Sequence, residues 1–138
     1  MNTVTSDVIT MLESLGLGTF GEDLYCGRVP ESKKVPTALW LLVPNGTYPL
    51  GTHNVTGEDT LNYNFRLYYR NIEYKEVDKH IFLATKILSG IHCHNLNNFK
   101  TIDINVGSSS GSYTTDTENR VVGYVAFDVR VYDIANSL

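Results

Sequence analysis

The sequence predicts an α+β fold, a mixed and mostly antiparallel sheet with helices packed on it, and three observations carry that expectation. Leu61, Tyr63, Phe65, Leu67 and Tyr69 alternate with Asn62, Asn64, Arg66, Tyr68 and Arg70, the two-residue period of a strand with one apolar face. Directly after them, Val77, Ile81, Ala84 and Leu88 recur at steps of four, three and four, which makes a single helical stripe. Near the end of the chain, Val121, Gly123, Val125, Phe127, Val129 and Val131 alternate with Val122, Tyr124, Ala126, Asp128, Arg130 and Tyr132. Helical and strand patterns follow each other irregularly, in the order α-β-β-β-α-β-β, which excludes a regularly wound parallel sheet.

Each element has its own signal. Residues 7–15 read as a first helix, capped by Thr5 or Ser6, with Val8, Met11, Leu12 and Leu15 on one side. A glycine-rich bend over 16–21 ends it, and a short strand over 23–26 follows until Pro30 breaks it. The polar run Glu31-Ser32-Lys33-Lys34 is expected at the surface. Residues 38–43 are continuously apolar, as in a strand covered on both faces. Pro44-Asn45-Gly46 then signals a turn, and 48–59 read as a loop leading into the alternating strand. Asn71 is placed to cap the second helix, Glu73 and Glu76 suit its positive end, and Gly90 offers a left-handed stop. After a polar stretch over 92–99, Ile102, Ile104 and Val106 place a strand at 101–106. Residues 107–119 lack an apolar pattern and read as a long loop closing a hairpin with the final strand.

Composition bounds the function. A chain of 138 residues suggests one domain over 1–138. At that size roughly two thirds of the unfolded surface can be buried, so a core needs neither disulfide nor metal. Apolar residues at 42% and charged residues at 19% fit a folded protein. The net charge of −4 and the lack of any basic block argue against nucleic-acid binding. Residues 1–10 lack the basic and apolar regions of a signal peptide, and the run 38–43 is too short to span a bilayer. Cys26 and Cys93 lie far apart and are expected as reduced thiols of a cytoplasm. Without a secretory route, the sequons at Asn45 and Asn54 carry no weight.

The chemical motifs are weak. Gly16, Gly18 and Gly21 fit G-x-G-x-x-G, but a helix precedes them and a strand follows, the reverse of a dinucleotide site. A helix end followed by a bend is the expectation. In an extended segment His92 and His94 of His92-Cys93-His94 would point the same way. A zinc site needs a convergent second pair, and His53, His80 and Cys26 offer no recognisable spacing. A polar surface turn fits better than a metal site. No nucleophile elbow, P-loop, zinc-protease motif or tight carboxylate pair is present. The expectation is therefore a protein without catalytic residues, cofactor or metal. The nine tyrosines are more informative, because rings with a polar tip suit interfaces. Tyr68, Arg70, Tyr113, Tyr124 and Tyr132 are the candidate interface residues. Val122, Tyr124, Ala126 and Tyr132 need a cover on the second sheet face, either the first helix or a neighbouring subunit.

The series Leu24-Tyr25-Cys26-Gly27-Arg28-Val29-Pro30, the apolar strand 38–43, Leu67-Tyr68-Tyr69-Arg70 and the helix with Ala84, Ile87 and Leu88 resembles the minor capsid and tail terminator proteins of long-tailed bacteriophages. Gly27 and Pro30 match that family's strand-ending pair, and Arg70 matches its arginine before the helix. The resemblance implies a small α+β virion subunit that assembles in the host cytoplasm as a homohexameric ring. Such a ring caps the head-proximal end of the tail tube, stops its growth and docks the head-tail connector. Tail tube protein and connector protein are the implied partners, with no membrane and no specific nucleic acid. The alternatives are another neck or tail subunit, for head completion or the tube itself, and a small cytoplasmic ligand-binding module.

Overall fold

The computed structural model describes residues 4–30, 35–50, 60–90, 99–109 and 114–133. In chain order the elements are helix α1 (Val4–Ser14), strands β1 (Leu24–Cys26), β2 (Leu39–Leu50) and β3 (Thr60–Asn71), helix α2 (Tyr74–Ser89), and strands β4 (Phe99–Ser109), β5 (Thr114–Thr115) and β6 (Val121–Asp133). They form an α+β protein with a six-stranded mixed sheet ordered β1-β2-β3-β6-β4, and β5 is a side branch on β6. Only β1 and β2 run parallel; the other pairings are antiparallel.

Register turns the two alternating patterns into rows. Trp40 lies opposite Tyr69, Leu42 opposite Leu67, Phe65 opposite Phe127, and Ile104 opposite Val129. One face of the sheet is thereby apolar from β1 to β4. Val77, Ile81, Ala84 and Leu88 are all buried and lay α2 across β3, β6 and β4. Val4, Val8, Met11 and Leu12 of α1 enter the same core, together with Leu24, Trp40 and Leu42. Both helices therefore cover one face, and the first helix does not cap the second. Phe65 and Phe127 are fully buried with ring centroids 5.6 Å apart. Burial of each such side chain contributes about 1.5–3 kcal/mol.

Several local expectations are corrected. Helix α1 starts at Val4 rather than residue 7, because Val4 is itself a core residue and draws the first turn into the helix. Strand β2 does not stop at Pro44-Asn45-Gly46. Its register passes from Pro44 opposite Phe65 to Gly46 opposite Asn64, so Asn45 is the extra residue of a bulge. The strand continues to Leu50, through the first part of the expected loop, and residues 51–59 lie outside the described ones. Asn71 ends β3 instead of capping α2. The cap is Glu73, which makes no side-chain cap bond, while Asn71 Oδ1 accepts the Glu73 N–H at 3.3 Å. Gly90 is not left-handed: with φ −87° and ψ 0° it extends the last turn, its N–H donating to the Ile87 carbonyl at 3.2 Å.

The presumed long loop is partly strand. β4 reaches Ser109, Thr114 and Thr115 pair with Val122 and Val121, and a turn with Asn119 at φ 61° leads into β6. Residues 31–34, 110–113 and the His92-Cys93-His94 triplet lie outside the described residues. At the glycine-rich bend, Gly16 (φ +82°) follows α1 and Gly18 (φ +92°) approaches the β1 corner closely. A Cβ on Gly18 would stand 3.1 Å from Asp23 Oδ1 and from Leu24 Cβ, so glycine is required there on both counts.

Candidate functional site

The face of the sheet opposite the helices is built from the alternate residues of the same strands. Tyr68 and Tyr124 are direct register partners on β3 and β6, with ring centroids 5.6 Å apart and planes inclined by 51°. The Arg66 guanidinium sits 4.9 Å from the Tyr124 ring centroid, within cation–π range. Beyond them, Asn64 Nδ2 donates to Asp128 Oδ1, and Asn45 Nδ2 from the β2 bulge donates to Asn64 Oδ1 at 2.8 Å. The bulge thus aims Asn45 into a polar ladder that crosses three strands.

Toward the β1 side this face turns apolar. Leu39, Leu41 and Val43 of β2 join Val29, Tyr68 and Val122 around a groove of ≈ 380 Å³, with Arg70 and Asp116 also in its lining. Arg70 Nε donates to the Thr37 carbonyl at 3.0 Å and Nη2 to the Pro36 carbonyl at 2.9 Å. Its guanidinium pins the segment that enters β2. Burial, then the nearby Arg120, lowers the Arg70 pKa. Across the groove, Asp116 Oδ1 accepts the N–H groups of Glu118 (3.0 Å) and Arg120 (2.9 Å), and Oδ2 accepts Arg120 Nε at 2.8 Å. Desolvation opposes ionisation of Asp116, but these donors and the Arg120 charge together hold its pKa below the ordinary value.

Of the sequence-predicted interface residues, Tyr68 and Tyr124 are brought together. Arg70 shares their face, but its guanidinium is engaged with backbone carbonyls. Tyr132 pairs with Thr60 and Lys100 at the other end of β6, about 26 Å along the strand from Tyr124. The side chain of Tyr132 and the whole of Tyr113 lie outside the described ones. Sequence reasoning passed over Arg66 and the groove formed by Leu39, Leu41 and Val43. Arg66 carried a signal, its even-numbered place beside Tyr68. The groove required knowing which strand pairs with β3.

The helix-covered face holds the remaining unusual groups as core. Tyr69 and His80 stack at 4.2 Å with planes 7° apart, and Trp40 packs 4.6 Å from Tyr69. Burial raises the Tyr69 pKa, and Asn71 Nδ2 donates to its hydroxyl at 3.1 Å. The Cys26 thiol is half-buried and its pKa is likewise raised by burial, which disfavours the nucleophilic thiolate. Among the described residues no three His, Cys, Asp or Glu side chains converge on a common point, and no helix is long and apolar enough to cross a membrane.

Fold and site together define a one-sided α+β domain, with both described helices on one face of the sheet and a second face, uncovered by either helix, that carries tyrosine, arginine and an apolar groove. No protein-family model matches the chain, and no curated protein matches it.

Proposed function

We propose that this chain is a structural subunit of a long-tailed bacteriophage virion, of the tail terminator kind. It assembles as a ring at the head-proximal end of the tail tube, stops tube growth and presents the surface on which the head-tail connector docks. The observation that carries the reading is the second sheet face, left uncovered by both helices. Tyr68, Tyr124 and Arg66 at its centre are the residue types that anchor protein interfaces, and an apolar groove adjoins them. The motif resemblance around Gly27, Pro30 and Arg70 supplies the particular assembly. A ring uses heterologous contacts, so each subunit needs two different patches whose angle closes the circle.

Light scattering across a range of protein concentrations, with negative-stain imaging of the same fractions, tests the reading. Closed rings of hexameric mass, in solution or on purified tail tubes, are expected. Open-ended tubes would assign the chain to the tube itself. A monomer at every concentration that also fails to bind tail tubes would overturn the assembly reading.

A further inference from the structure

The outer face of α2 repeats the spacing of its buried stripe, displaced by two residues. Lys75, Lys79, Phe82 and Lys86 follow the same four, three, four steps as Val77, Ile81, Ala84 and Leu88, and so point away from the core. Phe82 is 67% exposed and the adjoining Leu83 is 42% exposed, large values for such side chains in a helix centre. None of the three lysines pairs with a described acidic residue. The result is an apolar knob flanked along one ridge by positive charge.

The opposite chemistry occurs at the other end of the sheet. Beside β1 a groove of ≈ 620 Å³ is lined by Glu22, Asp23, Tyr25, Pro30, Val35 and Pro36 among others, with no Lys or Arg among its described lining residues. Glu22 is exposed and forms no ion pair with a described residue. Asp23 Oδ1 is taken by the Thr19 N–H at 2.6 Å. Helix α2 covers β3, β6 and β4, whereas this groove flanks β1 at the opposite edge. Ridge and groove are thus two different patches of one chain, as a head-to-tail contact between copies requires.

We infer that the α2 ridge of one copy seats in the Glu22–Asp23 groove of the next, with Phe82 entering between the groove's apolar walls and the flanking lysines meeting the two carboxylates. This inference rests on the ring reading and assigns the subunit-to-subunit contact within it. The occupant is a second copy because charge and apolar character are complementary between the two patches. The bare sheet face is left for other components.

Charge reversal tests the contact at residues whose exposure spares the fold. Lys79→Glu with Lys86→Glu, and separately Glu22→Lys, should each weaken self-association about tenfold or more, because like charges then face each other across the contact. Combining Lys86→Glu with Glu22→Lys should recover a large part of the loss. Unchanged circular dichroism and thermal midpoint show that the variants fold. In wild-type rings a zero-length carbodiimide cross-linker should join a peptide containing Lys79 or Lys86 to one containing Glu22. Wild-type rings with undiminished assembly of the charge variants, or without those cross-links, would overturn this contact and leave the ring reading standing. Wild-type protein that forms no ring in solution or on tubes overturns both.

Discussion

The two faces of this sheet are made from the same strands yet differ in what they lack. On the odd-numbered face of β3 and β6, helix α2 packs, and Phe65, Leu67, Val125, Phe127 and Val129 are fully buried. On the even-numbered face, Arg66, Tyr68, Tyr124 and Ala126 remain only half-buried, with no helix against them. The first face owes its character to the chain alone. The second carries amphipathic rings and charges, which tolerate water and are also the groups that suit a protein contact. A sheet can thus keep its core on one side and a different chemistry on the other, divided by a single-residue step along the strand.

The sharpest way to break that division is to remove core volume. Phe127→Ala should cost about 3–5 kcal/mol in denaturant unfolding, because the cavity lies among residues that cannot collapse freely. The tyrosines on the other face of the same two strands should behave oppositely. Tyr68→Ala or Tyr124→Ala should change unfolding free energy little but weaken docking onto purified tail tubes or connector by about 2 kcal/mol, read as a shift in the binding midpoint, with ring formation unchanged. A loss of stability matching that of Phe127→Ala would show that the second face is core after all.

Arg70 stands between the two behaviours, since it lies on the bare face but serves the fold. Arg70→Lys should cost about 1 kcal/mol in unfolding experiments, because an ammonium cannot reproduce the two-pronged donation to Pro36 and Thr37. Smaller still is the Asp116 turn. Its folded pKa lies below its ordinary value of 3.8, so its stabilisation is fully present above that value and fades as pH falls through the lower folded one. The melting-temperature gap between wild type and Asp116→Asn should therefore be constant near neutrality and shrink in strong acid. A gap that widened on acidification would contradict the donor arrangement around this carboxylate.

Much of this division is legible in the sequence, for a physical reason. Strand and helix periods are local, so the alternation through Leu67 and Val125 and the stripe from Val77 to Leu88 are visible without knowing any partner. Pro44-Asn45-Gly46 misleads because turn chemistry and bulge chemistry use the same residues. What decides between them is that Tyr48 and Leu50 continue to pair with Asn62 and Thr60 across the sheet. Thr114 and Thr115 become a strand only because Val121 and Val122 offer them a ladder. The meeting of Tyr68 with Tyr124, the placing of both helices on one side, and the groove under Leu41 and Val43 all depend on non-local register. No window of a single strand contains that information.

The edges of the sheet carry a further consequence. β1 spans just three residues, and β4 slips register twice along its pairing with β6, between Thr101 and Asp103 and between Val106 and Ser108. Both are poor templates for the backbone of another chain, although β2 beyond Leu42 has no described partner on its β1 side. Edge-to-edge pairing of copies through β1 or β4 is thereby disfavoured. In the proposed ring, contact between copies then falls to side chains, which can be made selective, rather than to main-chain hydrogen bonds, which every polypeptide offers alike.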